Sequence, residues 1–379
     1  MTLKLLALCA RDVGSDHMYR LLHVRLHDFA GRNSWEILID QAEHHGLAPL
    51  LFKHAQAAGF PLPQKIRRVL QSLALRHRQA SRIRNEAVAA LLRLCLAEGI
   101  EVIAAKGIAL ANSIYSDPSL RPMRDVDLLA GESDLPKMTA ILTELGYVRE
   151  ARGDIPEDYY HLVPMVRTIE GMPISVEVHR NLLPYHPEYP PWPFARSRDA
   201  SLPVTIGGVS ARTLCLEDLL LHVYLHGFRA PLTYEPYRLI HLADIVTLVE
   251  QHLIQIDWNR VRDDFPTVRQ VLSSFHCLTP WSDDVVQRLG IDITLMPHQP
   301  GEQYRGWPRR RLHATKLHEL PGLLRDTLMP SPWWMQVYYG CLPDQGLLRA
   351  RWLDHPLMLY RWFKAYALQS LREGSKSVE

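Results

Sequence analysis

Apolar residues in the first quarter of the chain recur at helical spacing, without strand-like alternation. One stripe covers residues 35–42 and a longer one runs through residues 64–98, and the Gly-Phe-Pro-Leu-Pro segment at 59–63 breaks the chain between them. The longer stripe carries interspersed basic residues but no aromatic residue that could stack on a base, which favours a solvated face over an RNA-binding one. This pattern predicts an N-terminal helical region over residues 1–98.

The pattern changes at Gly99, after which short buried strands and amphipathic helices alternate. The predicted elements are a strand at 100–105, a helix at 108–115, a strand at 125–130, a helix at 135–145, strands at 161–169 and 174–179, and a hairpin at 202–212. Strands and helices in this order form a small α/β unit. We therefore assign residues 99–213 to one core built on a mixed sheet.

Helical spacing returns at Leu214 and is clearest over residues 216–224 and 239–249. It predicts a C-terminal helical domain over residues 214–379. The predicted fold class is α+β: a small mixed-sheet core flanked by N-terminal and C-terminal helical regions.

Composition narrows the class and the location. Of 379 residues, 47% are hydrophobic and 22% are charged, so the chain can build a sizeable core. The 43 basic and 41 acidic residues give a formal charge of +2, which disfavours a dedicated nucleic-acid surface. Five scattered cysteines without a Cys-x-x-Cys pair suit a reducing compartment. Because no apolar run is long enough for a signal peptide or a membrane span, we expect a cytoplasmic protein without a membrane partner.

The chemistry starts with two aspartates on the strand at 125–130. Asp125 and Asp127 are two residues apart, so both side chains leave the same face of the strand. Carboxylates held this close repel each other unless a cation sits between them, and Mg²⁺ is the ordinary one. Neutralising Asp127 is therefore expected to stabilise the protein slightly. An Asp-x-Asp pair alone is weak evidence, because chance pairs on exposed strands are common; taken by itself, the pair favours a strand that binds nothing.

Three further features favour a phosphate-binding metal site. Lys106 and Gly107 lie at a predicted strand-to-helix turn, where a glycine and a helix N-terminus suit a phosphate. Arg121 and Arg124 add positive charge just before the acidic pair. Glu177 lies on an alternating strand, from which a third carboxylate can complete a metal site or accept a proton from an acceptor hydroxyl.

Four short motifs are arranged along this region: Lys106-Gly107-x-Ala109-Leu110; Tyr115-Ser116-Asp117 followed by Arg121; Asp125-Val126-Asp127-Leu128-Leu129; and Val176-Glu177-Val178-His179. Together they resemble the large uncharacterised bacterial nucleotidyltransferase family of the DNA polymerase β superfamily. Members of that superfamily place a glycine-containing turn after a first strand, Asp-x-Asp on the next strand and a third acid on a later one. The resemblance covers roughly residues 30–265. At the turn, this chain has Lys106-Gly107 where the superfamily usually has Gly-Ser or Gly-Gly-Ser.

The resemblance implies a Mg²⁺-dependent enzyme that moves a nucleoside monophosphate group from a nucleoside triphosphate, with ATP expected, to an acceptor hydroxyl or phosphate. It implies that the catalytic and metal-binding acids are Asp125, Asp127 and Glu177, and that the nucleotide-binding residues are Lys106, Gly107, Arg121 and Arg124. Lys106 would take the place of the usual serine as a phosphate ligand.

Two other functions stay open. A non-catalytic nucleotide-binding scaffold would keep the fold without turnover; the missing serine favours it, and three acids that are costly without a metal disfavour it. An RNA-modifying or toxin-like transferase is disfavoured by the near-neutral charge and by the lack of a basic tract with interleaved aromatic residues. We expect the acceptor to be a small molecule, peptide or protein rather than RNA.

Three polar residues of the C-terminal part are interpreted as structural. His222 and His226 lie one helical turn apart, but without an evident third ligand the spacing favours packing over a metal site. Asp244 lies on a predicted helix and is expected to pair with Arg238 or with another arginine near the cleft.

Overall fold

The computed structural model describes residues 2–31, 34–150, 159–184, 189–229, 238–297, 301–304, 316–341 and 346–364. Its α-helices are α1 Thr2–Leu8, α2 Asp16–Ala30, α3 Trp35–His44, α4 Ala48–Ala57, α5 Gln64–Ala97, α6 Lys106–Ser113, α7 Leu135–Glu144, α8 Phe194–Arg198, α9 Leu216–Phe228, α10 Leu239–Gln251, α11 Trp258–Asp264, α12 Pro266–Phe275, α13 Asp283–Leu289, α14 Leu320–Leu328, α15 Pro332–Tyr339 and α16 Leu347–Arg349. Its strands are β1 Val102–Ala105, β2 Asp125–Ala130, β3 Val148–Arg149, β4 Met165–Ile169, β5 Met172–His179, β6 Leu202–Ile206 and β7 Val209–Thr213. Within these ranges, no helix combines the length and the apolar character that crossing a membrane requires.

The strands form one seven-stranded mixed sheet in the order β3-β4-β5-β2-β1-β7-β6. Strand β2 is antiparallel to β1 and parallel to β5, and β1 is parallel to β7. The strands and helices that the sequence predicts between residues 99 and 213 are found within a few residues of their expected positions. The pattern does not predict β3, whose two side chains are both exposed and so carry no apolar alternation. The α+β class with a mixed sheet and helical flanks is confirmed.

Apolar side chains pack into two main cores. The larger core joins the N-terminal helices to the C-terminal ones; it includes Leu22 and Leu38 from the first group, and Leu242 and Phe275 from the second. The other core lies between one face of the sheet, the second half of α5, and α7. The two helical regions therefore share a core, and the domain boundaries at residues 99 and 214 stay a prediction.

Strand β2 divides its side chains between these two cores. Val126 and Leu128 pack into the sheet core, whereas Leu129 belongs to the larger helical core. Asp125 and Asp127 share the face of Leu129, because side chains alternate along a strand. The acidic face of the sheet is thus turned toward the helical core, on the side where α9 packs against α6.

Candidate active site

The parallel pairing of β2 and β5 places two of the predicted acids side by side. Asp127 pairs in register with Glu177, Asp125 with Ser175, and Leu129 with His179. Residues that pair in register on neighbouring strands project from the same face of the sheet. Asp127, Glu177 and His179 therefore lie on one face, as the alternation of apolar residues along β5 predicts.

Asp127 is fully buried and carries two hydrogen bonds on a single oxygen. Its Oδ1 accepts from Lys106 Nζ at 2.5 Å and from His179 Nε2 at 2.8 Å. Its Oδ2 is also buried, and it has no hydrogen-bond partner in the described part of the chain. Burial acts to raise the pKa of Asp127, but the charge of Lys106 and the hydrogen bond from His179 outweigh it and hold the pKa well below its usual range. Asp127 is therefore an ionised carboxylate, and one of its two oxygens receives no hydrogen bond from the described residues.

Glu177 lies beside the same histidine. Its Oε2 is 3.6 Å from His179 Nε2 and 4.0 Å from His161 Nε2. Burial acts to raise the pKa of Glu177, but the interaction with His179, together with the charges of Lys106 and His161, leaves it below the ordinary value. Glu177 is therefore also ionised near neutral pH.

Asp127, Glu177 and His179 form a set of possible metal ligands. Among the residues that the structure describes, each offers a ligand atom within 4.8 Å of the other two. Two ionised carboxylates and the buried Oδ2 of Asp127, which has no hydrogen-bond partner among the described residues, fit a divalent cation such as Mg²⁺. His179 Nε2 donates to Asp127 Oδ1, so this nitrogen would have to lose its proton before it could bind a transition metal such as Mn²⁺. The sequence places His179 on the correct face through the alternation along its strand, but gives it no part in the site.

Asp125 lies at the edge of this set. It is partly buried, it lies two residues before Asp127 on the same face of β2, and it is not part of the three-residue group. Burial, followed by the charge of Asp127, raises its pKa above the ordinary value. The structure thus brings Asp127 and Glu177 into direct proximity, whereas the share of Asp125 in a metal site stays a prediction.

Lys106 is the first residue of α6, at the turn that follows β1. Because Ala105 pairs with Asp127 across β1 and β2, this turn lies directly beside the buried aspartate. The backbone of Lys106 has a φ of 47°, a left-handed value that residues with a Cβ rarely adopt. Burial acts to lower its pKa, but the charges of Asp127, Glu177 and Asp125 outweigh it and keep the ammonium charged.

Position 107 has to be a glycine because the Arg121 guanidinium lies against its backbone. A Cβ at position 107 would collide with the Arg121 guanidinium and would lie 3.0 Å from the Cβ of Met123. Arg121 is itself buried and donates twice to Asp244 of α10, from Nη2 to Oδ2 at 2.8 Å and from Nε to Oδ1 at 3.2 Å. Tyr115 also donates its hydroxyl to Asp244 Oδ1, at 2.9 Å. The expected pairing of Asp244 with an arginine near the cleft is found, and it anchors Arg121 directly behind Gly107.

Arg124 and Arg238 lie on the rim of the site. Arg124 is exposed and immediately precedes Asp125, whereas Arg238 precedes α10 and donates its Nε to the carbonyl of His44 at 3.1 Å. Burial, followed by the charges of Arg124 and Arg121, lowers the pKa of Arg238. Arg238 thus adds a cation from the C-terminal part that the sequence-based site does not include.

The two histidines of α9 differ in their surroundings. His222 is buried, in agreement with the packing role expected from the sequence. His226 is exposed, and its ring lies edge-on to that of His241 at 5.1 Å between centroids. Enough protein surrounds His226 that desolvation, followed by the charge of Lys106, lowers its pKa to about 3. Helix α9 therefore presents a neutral imidazole on the side of the acidic residues.

One family model and two solved structures match part of the chain. Residues 31–272 match the model of a family described as uncharacterised nucleotidyltransferase. Two solved structures are similar over part of the chain, both at 14% sequence identity and a TM-score of 0.33. The crystal structure of ANT(2")-Ia in complex with adenylyl-2"-tobramycin covers 48% of this chain and 95% of its own. The solution structure of antibiotic-resistance factor ANT(2'')-Ia covers 51% and 96%. No curated protein matches the chain.

The family match spans more than half of the chain and includes β1, β2, β5, α9 and α10, and with them every residue of the candidate site. It confirms the prediction that the chain is a nucleotidyltransferase. The chain belongs to the uncharacterised nucleotidyltransferase family, and it is thus an enzyme of the transferase class.

Proposed function

We propose that this protein is a Mg²⁺-dependent nucleotidyltransferase that moves a nucleoside monophosphate group from a nucleoside triphosphate, ATP by expectation, to an acceptor hydroxyl or phosphate. One observation carries the proposal: Asp127 and Glu177 are paired on adjacent parallel strands, and Asp127 keeps a buried oxygen that has no partner in the described part of the chain. A buried carboxylate oxygen without a hydrogen bond is costly, so its presence favours a ligand that binds there.

In this proposal the acids hold the metal. Asp127 and Glu177, with Asp125 at the edge, supply the carboxylate oxygens that Mg²⁺ prefers. When bound, such an ion stabilises negative charge on the phosphate oxygens during phosphoryl transfer. Because Glu177 is ionised and only partly buried, it is also able to accept the proton of an acceptor hydroxyl.

The turn between β1 and α6 would bind the phosphates. Lys106 supplies a positive charge there, and Gly107 lets the backbone at the N-terminus of α6 approach a phosphate oxygen. Arg124, exposed beside Asp125, is placed to add a second cation. Arg121 serves this site through its position, because its guanidinium is committed to Asp244 while it supports the turn behind Gly107.

The test measures binding before turnover, since the acceptor is unidentified. Calorimetry with non-hydrolysable analogues of the four nucleoside triphosphates, with Mg²⁺ present, should detect binding of at least one by the wild-type protein. Asp127→Asn should lose this binding. Glu101→Gln removes an exposed carboxylate just before β1 and should leave the binding unchanged. A wild-type protein that binds none of the four nucleotides would refute the proposal.

Turnover separates the enzyme from a scaffold. Pyrophosphate release from the nucleotide that binds should require wild-type protein, a divalent ion and an acceptor, and it should be absent with Asp127→Asn. Release that persists in Asp127→Asn would show that another site is responsible.

A further inference from the structure

The ammonium of Lys106 lies among the acids that the proposed metal would use. Its Nζ contacts Asp127 Oδ1 at 2.5 Å, and the charges of Asp127, Glu177 and Asp125 all act on it. The side chain is only 15% exposed, so water screens these interactions weakly. Lys106 is thus the counter-ion of the acidic cluster.

A divalent ion held by Asp127 and Glu177 would bring two positive charges close to this ammonium. Both cations would draw on the same carboxylate, and their mutual repulsion would be weakly screened in a buried site. Lys106 therefore lowers the affinity of the acids for a divalent ion that arrives alone.

A polyphosphate changes this balance. Lys106 begins α6, and the backbone amides of the first turn of that helix suit a phosphate. The flexible methylene stem of a lysine lets its ammonium exchange one anionic partner for another without movement of the backbone. With a phosphate as its partner, Lys106 would no longer compete for Asp127.

We propose that Lys106 couples metal binding to nucleotide binding: it opposes a lone divalent ion at Asp127 and favours the ion that arrives together with a nucleotide. This inference rests on the proposed nucleotidyltransferase function. Removal of the lysine charge should strengthen metal binding in the absence of nucleotide, because the repulsion is lost, and should weaken nucleotide binding, because the phosphates lose a charged partner.

The experiment measures two affinities in each variant. Mn²⁺ binding without nucleotide is followed by electron paramagnetic resonance, and binding of the non-hydrolysable triphosphate analogue with Mg²⁺ is followed by calorimetry. Lys106→Met should bind Mn²⁺ about tenfold more tightly than the wild type. It should bind the nucleotide about tenfold more weakly, because a charge-assisted contact is lost. Lys106→Arg keeps the charge and should keep the low Mn²⁺ affinity.

Two further variants guard the interpretation. Lys106→Gln removes the charge but keeps a hydrogen-bond donor for Asp127, so it serves if the methionine variant does not fold. Like Lys106→Met, it should bind Mn²⁺ more tightly and the nucleotide more weakly than the wild type. Lys53→Met breaks another ion pair with a buried aspartate, Asp12, which lies outside the site, and it should change neither affinity.

The outcomes separate this inference from the function on which it rests. If the wild type binds Mg²⁺ with nucleotide but the uncharged Lys106 variants bind Mn²⁺ no more tightly than it does, the coupling role is overturned and the function stands. A parallel increase in Lys53→Met would also overturn it, because the effect would not be specific to the site. If the wild type binds no nucleotide with Mg²⁺, the proposed function fails and the inference fails with it.

Discussion

Two buried aspartates of this protein, Asp12 and Asp127, each pair with a lysine. They differ in how many of their carboxylate oxygens receive hydrogen bonds. Asp12 accepts on Oδ1 from Lys53 Nζ at 2.7 Å and from Ser116 Oγ at 2.9 Å. Its Oδ2 accepts from the Ser116 amide at 3.0 Å and from Gln251 Nε2 at 2.9 Å. Asp127 carries both of its hydrogen bonds on Oδ1, and its Oδ2 has no partner among the described residues.

The difference separates a structural ion pair from a candidate ligand. Asp12 uses both oxygens to tie the N-terminal segment, the segment after α6 and the end of α10 together, so nothing is left for another molecule. Asp127 is equally buried, but one of its oxygens finds no partner among the residues that the structure describes, which a stable fold rarely tolerates without a functional reason. Burial and a lysine partner are common to both aspartates. What distinguishes them is Oδ2, which accepts two hydrogen bonds in Asp12 and none from the described residues in Asp127.

The largest effect should separate Asp127→Asn from Asp12→Asn. We expect Asp127→Asn to lower nucleotidyl transfer by more than about a hundredfold, since even outer-shell partners of metal ligands are worth about 10–100-fold. Asp12→Asn should leave the rate unchanged at temperatures where the variant is folded. Steady-state pyrophosphate release, measured with the acceptor once it is identified, provides the test. Equal losses in both variants would mean that unfolding, and not the site, causes them.

The same two substitutions should resemble each other in stability. Each leaves the partner lysine without its carboxylate, and breaking a buried ion pair in this way costs about 3 kcal/mol of unfolding free energy. The sequence alone gives the opposite expectation for Asp127→Asn, a slight gain, because it treats Asp125 and Asp127 as an uncompensated pair. Urea denaturation of the wild type and both variants, without metal, measures the loss of unfolding free energy in each. A more stable Asp127→Asn would show that repulsion between the two aspartates outweighs the contacts with Lys106 and His179.

This contrast marks what the sequence can and cannot predict. The period of two correctly places Asp125 with Asp127 on one face of β2, and Glu177 with His179 on one face of β5, because strand geometry fixes side-chain direction locally. That these two faces are the same face of the sheet follows from the parallel pairing of the strands. The partner of Asp127 is not fixed locally. Lys106 reaches it only because β1 and β2 are antiparallel and Ala105 stands opposite Asp127.

Contacts between distant segments are the part that sequence patterns miss. Arg121, the predicted nucleotide ligand, pairs with Asp244 of α10. Asp12 accepts hydrogen bonds from Lys53 of α4 and from Ser116, which follows α6. Apolar spacing shows which residues are buried, but it carries no information about which buried charges meet. For the same reason it does not show that the N-terminal and C-terminal helices share one core.

A smaller effect should follow from removing either lysine. Lys106→Ala should weaken nucleotide binding by about 1–3 kcal/mol, the cost of a charge-assisted hydrogen bond. On sequence alone, its stability is expected to be nearly unchanged; the structure adds a loss, because buried Asp127 loses a partner. Lys53→Ala should lose stability but keep its nucleotide affinity. Calorimetry and thermal denaturation of both variants test this pair of results. Unchanged nucleotide affinity in Lys106→Ala would assign Lys106 to structure alone.

The smallest expected effect is on the stability of the protein at low pH, and it concerns the Lys53–Asp12 pair alone. Burial acts to raise the pKa of Asp12, but the hydrogen bond and charge of Lys53, with the donors of Ser116, hold it below the ordinary value. A carboxyl group whose pKa is lower in the folded state contributes stability that is fully present above its unfolded pKa of about 4 and is lost as the pH falls through its folded pKa. Asp12 should therefore contribute nothing to the pH dependence between pH 7 and pH 5, and should contribute to a loss of stability below pH 4.

Lys53→Met turns this expectation into a measurement. Without the lysine the pKa of Asp12 rises in the folded state, so the loss of stability on acidification from pH 7 to pH 3 should be smaller than in the wild type. A pKa change of about one unit corresponds to about 1.4 kcal/mol, which sets the size of the difference to be resolved. Urea denaturation of both proteins across this range gives the two pH profiles. If the pH profiles of the wild type and Lys53→Met are parallel, Lys53 stabilises the protein through packing of its methylene stem and not through its charge on Asp12. The contrast between Asp12 and Asp127 would then rest on the unsatisfied oxygen of Asp127 alone.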